Sequence, residues 1–315
     1  MLAAKILKDL GVKIHGVHFA LPWGCGNLPS VKKSAQAVDV PLKIITADAS
    51  YFELLKNPRF GYGSAINPCV DCHIHMIKKA VEFMREIHAD FVFTGEVLGQ
   101  RPMSQLKNSL RAVERNSGIE GYLLRPLCAK LLPPTIPEEK GLIDRTKLFA
   151  ISGRGRQEQH RLAKQFGFKD FPNPAGGCLL TDKNFARRLR DAFQHNCHSL
   201  EETIILKWGR HFRLGPEHKA IVGRDDPECE LIAEHAKPED YIFELDDKRG
   251  PAVVLQGKHP SEEIILFTAG LTQAFSRYRN QDSRVVEYYQ IKNPEKKIQI
   301  KAPLLTSREI ELRKL

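Results

Sequence analysis

The feature that most constrains this chain is an alternation of strand-like and helical runs through its first 170 or so residues. Leu2, Ile6, Leu7 and Leu10 recur at helical spacing and the run ends at Gly11, while the following VKIHGVHFAL is strand-like. A helix around 30–38, the strand PLKIITAD, a long helix over 70–88 (VDCHIHMIKKAVEFMREIH) and the buried strand ADFVFTGE follow in turn. GYLLRPLCA and KLFAISG read as strands, and RQEQHRLAKQFG as a helix closed by glycine. Such alternation predicts an α/β fold with a parallel sheet covered by helices on both faces, and with functional loops at the carboxyl ends of its strands.

Beyond residue 200 the pattern changes. ETIILKWGRHFRLG, HKAIVGR, DYIFELDD, PAVVLQG and VVEYYQIK are short β-rich runs separated by Gly, Pro and Asp, interrupted by one helical run, SEEIILFTAGLTQAFSRYRN. This predicts a smaller α+β domain. The expected organisation is 1–195 and 200–315, which agrees with a length of 315 residues. There is no tandem repeat and no low-complexity tract, and no signal of oligomeric state.

With 42% hydrophobic and 27% charged residues the chain can bury an ordinary core. No window reaches the roughly 18 apolar residues of a membrane span, so a cytoplasmic protein with no membrane partner is expected. Seven cysteines at irregular spacing argue against a secreted disulfide framework and leave metal binding or thiol chemistry open. A net charge of +10 points to a polyanionic partner, most simply nucleic acid, against the alternative of a basic, solvated surface.

The stretch NPCVDCHIHM, residues 67–76, places Cys69 and Cys72 one helical turn apart. Asn67 and Pro68 suit a helix start, with Asn67 as the capping residue, and helix N-terminal amides favour thiolates. Inert cysteines remain the plain alternative. A third thiol, Cys178, follows two glycines and a proline in NPAGGCLLTD. Zinc would need His73 or His75 to complete four ligands, and neither has a usual zinc spacing. Three cysteines on a cubane cluster would leave one iron open to an external sulfur atom.

Four motifs in order, NPCVDC (67–72), FTGEVLGQRPMSQ (93–105), LLRPLCAK (123–130) and GGCLLTD (176–182), resemble the tRNA thiouridine synthases of the PP-loop superfamily. The likeness covers about residues 1–190, is nearest to the 4-thiouridine synthase catalytic domain and is more distant to the 2-thiouridylases. It implies a PP-loop (HUP-like) fold and an enzyme in which ATP with Mg adenylates a tRNA uridine and sulfur then displaces AMP. By motif, Cys69, Cys72 and Cys178 would be ligands of a 4Fe–4S cluster, or thiols exchanging persulfide and disulfide between Cys178 and the CxxC pair. Gly95, Glu96, Gly99 and Gln100 would line the nucleotide or uridine pocket. A sulfur donor, protein or inorganic sulfide, is implied. The superfamily's SGGxDS phosphate loop does not occur in this sequence. Met1 falls within what should be the helix after that loop, so an upstream start supplying the first strand and the loop is expected. The alternative is a non-catalytic RNA-binding or regulatory protein that has lost it.

Residues 205–295, with their VGR turn, a glycine loop before a Val-rich strand and a Ser-Arg helix end, resemble the RNA-binding module of the NFACT family. That likeness implies phosphate contacts from Arg224, Lys248, Arg249 and Arg277, each otherwise an exposed surface charge. Tyr278 and Trp208 are either base-stacking or core aromatics. Cys25 lies in a glycine loop near the expected site, Cys128 reads as a small core residue, and Cys197, beside His195 and His198, has poor ligand spacing. Cys229 carries no assigned role.

Overall fold

The computed structural model describes residues 1–24, 28–168, 178–195 and 197–315. Cys25 and the Gly176–Gly177 pair lie outside the described residues. The chain divides into two units, Met1–Thr181 and Asp182–Leu315. The division precedes the 195–200 boundary expected from composition. The helix between the two positions groups with the C-terminal unit because Asp191 is ion-paired with Arg213 and an Arg188 guanidinium nitrogen donates to the Leu206 carbonyl at 2.7 Å.

The first unit runs α1 (Leu2–Asp9), β1 (Gly16–Ala20), α2 (Leu28–Ala37), β2 (Leu42–Thr46), α3 (Ala49–Lys56), α4 (Cys69–Glu86), β3 (Val92–Phe93), α5 (Lys107–Asn116), β4 (Leu123–Leu124), α6 (Ile136–Glu139) and α7 (Gln157–Gln165). Strand pairing is parallel throughout: β1 with β2 from Gly16↔Leu42 to Ala20↔Thr46, β3 with β4, and an isolated bridge between Leu98 and Ser152. The expected sheet is therefore present as short parallel pieces. KLFAISG forms no regular strand. Its backbone still docks, with Phe149 N donating to Pro126 O and Ile151 N to Leu127 O, but Pro126 has no amide to return and the ladder stops at Leu124.

Two apolar clusters hold this unit. Leu2, Ile6 and Leu7 of α1 pack with Val97, Leu124 and Leu127, and Val70, Ile74, Ile77 and Val81, one stripe of α4, pack with Val113 and Leu123. Each such side chain contributes roughly 1.5–3 kcal/mol when fully buried. The second cluster fixes the axis of α4 and so the position of its first turn.

The second unit runs α8 (Lys183–Gln194), β5 (Arg210–Arg213), β6 (Lys219–Val222), α9 (Asp226–Glu234), β7 (Tyr241–Leu245), β8 (Val253–Gln256), α10 (Glu262–Ala274), β9 (Val285–Gln290), β10 (Ile298–Lys301) and α11 (Ser307–Arg313). Its six strands form one antiparallel sheet in the order β10-β9-β7-β8-β6-β5. Phe212, Val222, Phe243, Val253 and Leu255 share a core with Phe267 and Leu271 of α10. ETIILK, read as strand-like, forms a 3-10 helix over Glu201–Lys207, where the Thr203 hydroxyl donates to Leu200 O. Among the described residues no helix is long and apolar enough to cross a membrane.

Candidate functional site

The first turn of α4 organises the site. Asp71, buried there, accepts from the Arg59 and Phe60 amides at 3.0 Å each and so pins the incoming loop. Asn67 does not cap the helix as expected; Pro68 occupies that position and Cys69 is the first helical residue. The Asn67 side chain is instead committed upstream and across. Its Oδ1 accepts from Ala65 N at 3.3 Å, which orients Nδ2 to donate to Cys69 Sγ at 3.1 Å. Gly63 is required here, because a Cβ at that position would meet Asn67 Nδ2 at 2.4 Å.

Cys72, one helical turn on, is buried. Its Sγ is 2.9 Å from the hydroxyl of Tyr51, a fully buried residue of α3. Burial first, and then the neighbouring Cys72 and Cys178 sulfurs, push the Tyr51 phenol well above its ordinary range, against a smaller opposing contribution from Trp23. Cys178 thus lies within electrostatic reach of the hydroxyl that touches Cys72. The backbone explains how: Ile66 N, three residues before Cys69, donates to Leu180 O at 3.1 Å, and Leu179 N donates to Trp23 O. Thr181 closes the turn on the Cys178 carbonyl through its amide and its hydroxyl.

Glu96 sits behind this turn at 6% exposure. Its Oε1 pairs with His73 Nδ1 at 2.9 Å, and its Oε2 accepts from Thr94 Oγ1 at 2.9 Å and from Arg125 Nε at 3.1 Å. Burial raises the Glu96 carboxyl, but the His73 contact, the Arg125 charge and the Thr94 hydroxyl together bring it down to about 2. Arg125, itself 3% exposed, also binds Glu114 and the Leu110 carbonyl. Of the other residues expected to line a pocket, Gly95 is exposed and Gln100 N bonds Val97 O. Gly99, at φ +74°, abuts Gly153 beside the Leu98–Ser152 bridge. Glu96 is legible in the motif; its partners His73 and Arg125 are not, although a lone arginine inside the apolar run LLRPLCA signals a buried ion pair.

Among the described residues no group of three or more His, Cys, Asp or Glu side chains is placed to hold a metal ion. The expected shared ligand set of Cys69, Cys72 and Cys178 does not fit a cluster as these side chains are arranged. One thiol is turned to the Asn67 amide, and another to the Tyr51 hydroxyl.

In the C-terminal unit a cavity of about 670 Å³ is lined by Arg210, Arg224, Phe275, Arg277 and Arg279 among others, with Asp225 and Asp226 on its rim. Arg224 is tied to Glu228 at 2.7 Å, and Arg210 lies 5.1 Å over the Phe275 ring. Arg277 and Arg279 are exposed and have no carboxylate partner among the described residues. Lys248 and Arg249 are exposed on the turn after β7. Tyr278 is a core residue, its hydroxyl on Asp247 at 2.6 Å and its ring under the Arg284 guanidinium, so it offers no free face to a base.

Residues 209–311 match the family described as "NFACT protein RNA binding domain". Over 292 residues the chain is 23% identical to the tRNA-specific 2-thiouridylase MnmA of Marinobacter nauticus, covering 86% of this chain and 69% of that protein. Among solved structures, the C-terminal part of the fibronectin/fibrinogen-binding protein of Streptococcus suis gives a TM-score of 0.32 at 15% identity, covering 56% of this chain and 83% of that one. A likeness of that size carries no argument.

Proposed function

We propose that this chain is a tRNA-modifying sulfurtransferase of the thiouridine synthase kind, with an RNA-binding C-terminal unit. Distant similarity to a tRNA 2-thiouridylase over most of the chain and the RNA-binding family match over 209–311 support the general class. What supports the chemistry is the Cys72 thiol on the Tyr51 hydroxyl at 2.9 Å, together with the backbone bond from Ile66 N to Leu180 O that holds the segment carrying Cys178, over 100 residues away in sequence, against the approach to α4.

Two thiols so placed suit persulfide and disulfide exchange. Where ATP had first adenylated the uridine carbonyl oxygen, a step to which no described residue is assigned, the terminal sulfur carried by one cysteine would bond to the carbonyl carbon and the C–O bond would break with AMP leaving. The second thiolate then attacks the first cysteine's own Sγ; the S–S bond to the transferred sulfur breaks, a Cys72–Cys178 disulfide closes and the outer sulfur leaves on the base. A thiol reductant resets the pair. The burial of Cys72 and Tyr51 limits water at one end of the exchange, while Cys178 is half-buried. No step is assigned to a cluster, whose ligand set the described residues do not form. Arg277 and Arg279, exposed and without a carboxylate partner among the described residues, would contact RNA phosphates, giving position rather than sequence.

Nucleoside mass spectrometry of tRNA from a strain lacking the gene tests the reading. Loss of one thionucleoside, restored by the wild-type chain and not by Cys72→Ser or Cys178→Ser, is the expected result. Unchanged thionucleosides reject thiolation and leave RNA binding alone.

A further inference from the structure

Among the described residues every aromatic side chain is buried or half-buried except two. Phe60 and Tyr62 are each 39% exposed, and they stand two positions apart on the loop that leads into α4. A single exposed ring is ordinary, whereas a pair on a firmly held segment forgoes burial twice at one place. The loop is held by hydrogen bonds and not by its rings. The Asp71 carboxylate accepts from the Arg59 and Phe60 amides, which ties Phe60 to the helical turn bearing Cys69 and Cys72. The Tyr62 hydroxyl sits between the Leu55 and Lys56 carbonyls, at 2.5 and 3.1 Å, so the end of α3 sets its ring. Gly63 N donates to Asn67 O at 2.9 Å and closes the segment onto the helix start. Both rings are thus positioned before a ligand arrives, which lowers the ordering cost of binding.

The charge beside the pair is positive. The Arg59 guanidinium lies 5.6 Å over the Phe60 ring and donates to Asn116 Oδ1 at 2.9 Å, with no carboxylate partner among the described residues. Asn116 is the last residue of α5, and that helix presents Lys107, Arg111 and Arg115, all exposed, at four-residue spacing on one face. Of these three only Arg115 approaches a carboxylate among the described residues, Glu120 at 4.0 Å. Exposed rings bordered by cations suit a polyanion whose units carry flat faces, which is single-stranded nucleic acid.

We propose that Phe60 and Tyr62 form a stacking platform for an unpaired base of the RNA beside the target uridine, with Arg59 and the α5 cations on the flanking phosphates. This deepens the sulfurtransferase reading and rests on it. Bases inside a duplex are stacked on one another and offer no free face, so the platform selects RNA that is single-stranded where it meets the thiols. Stacking accepts any base, so the pair fixes the position of the strand and leaves its sequence unread. The Asp71 bonds carry that position to α4, because the carboxylate that holds Phe60 stands between the two cysteines of the same turn.

The test uses the full chain with a single-stranded oligouridylate carrying 5-bromouridine, irradiated and digested, and the crosslinked peptides are read by mass spectrometry. A crosslink on Phe60 or Tyr62 is expected, and excess duplex RNA should not compete it away. Phe60→Ala should weaken tRNA binding roughly fivefold to a hundredfold with the salt slope unchanged, because the ring carries no charge, whereas Arg59→Ala should lower that slope by about 0.7. Phe60→Leu, apolar but without a flat face, should lose as much as Phe60→Ala, and Phe60→Trp should retain binding, a contrast that a purely structural ring would not give. Crosslinks confined to the second unit, or equal tRNA affinity in Phe60→Leu, overturn the platform and leave the two rings to a protein partner. Competition by duplex RNA overturns the preference for an unpaired base. A thionucleoside that is lost in the deletion strain and fully restored by Phe60→Ala would remove the platform while leaving thiolation intact.

Discussion

Replacing Arg125 by methionine tests how the site is held. The guanidinium makes three contacts of 3.1 Å, to Glu96 Oε2, Glu114 Oε2 and the Leu110 carbonyl, from a position 3% exposed. Methionine fills similar volume without charge, so the Glu96 carboxylate keeps His73 and Thr94 but loses its permanently charged partner. Removing one member of a buried ion pair costs about 3–5 kcal/mol. Glu96 itself is held at about 2 instead of 4.5, roughly 3 kcal/mol of stability at neutral pH, to which His73 contributes more than Arg125, so only the smaller share of that figure goes with the guanidinium. The folded value of Glu96 is depressed, so that stability is complete above 4.5 and is lost as pH falls toward 2. Arg125→Met should therefore be less stable at pH 7 and lose less than wild type on acidification through that window. The two tryptophans, Trp23 and Trp208, fall one in each unit, so a Trp208→Phe background leaves Trp23 to report urea unfolding of the first unit alone. A loss below about 1 kcal/mol, the range of an exposed pair, would refute the argument.

Lys219, buried in β6, is pushed down to about 8 by burial first and then by Arg213, against opposing contributions from Asp191, Cys197 and Asp240. Between pH 8 and 10.5 the unfolded chain holds a proton the folded one does not, so stability of the second unit should rise with pH there. Lys219→Met should abolish that rise and stabilise the unit by roughly 1–3 kcal/mol at pH 7, read from Trp208 fluorescence; a destabilised variant would contradict this. Arg277→Ala and Arg279→Ala should each weaken RNA binding equally across sequences and reduce the log–log salt slope by about 0.7–0.9, and unchanged slopes would remove the cavity from the RNA surface. Tyr51→Phe should cost roughly 0.5–1.5 kcal/mol and slow Cys72–Cys178 crosslinking while leaving Cys69 alkylation unchanged; equal crosslinking rates would mean the hydroxyl has no part in the exchange.

Local pattern made much of this structure readable. The stripe Val70, Ile74, Ile77, Val81 announces α4, and the alternation of runs announces parallel pairing before any pair is seen. What escaped depends on distant partners. Whether LLRPLCA continues as a strand turns on Pro126, which withholds the amide a third ladder position would need. ETIILK has strand composition, but the Thr203 hydroxyl returns to the Leu200 carbonyl and favours a tight helical turn. Asn67 beside Pro68 reads as a cap, and only the backbone of Ala65 and the sulfur of Cys69 show why it is not one. The three cysteines could be picked from spacing and motif. That Cys69 is held by Asn67 and Cys72 by Tyr51 could not, because Tyr51 is an unremarkable apolar position in the helical run that carries it.

Peptide mapping without reduction gives the most direct measurement. The full chain, first reduced and then treated with a mild disulfide oxidant, should yield a peptide pair joined through Cys72 and Cys178, with Cys69 still open to alkylation. A bond confined to Cys69 and Cys72, or a Cys178 that stays free when Cys72 has been oxidised, would contradict the shared Tyr51 pocket and the exchange built on it.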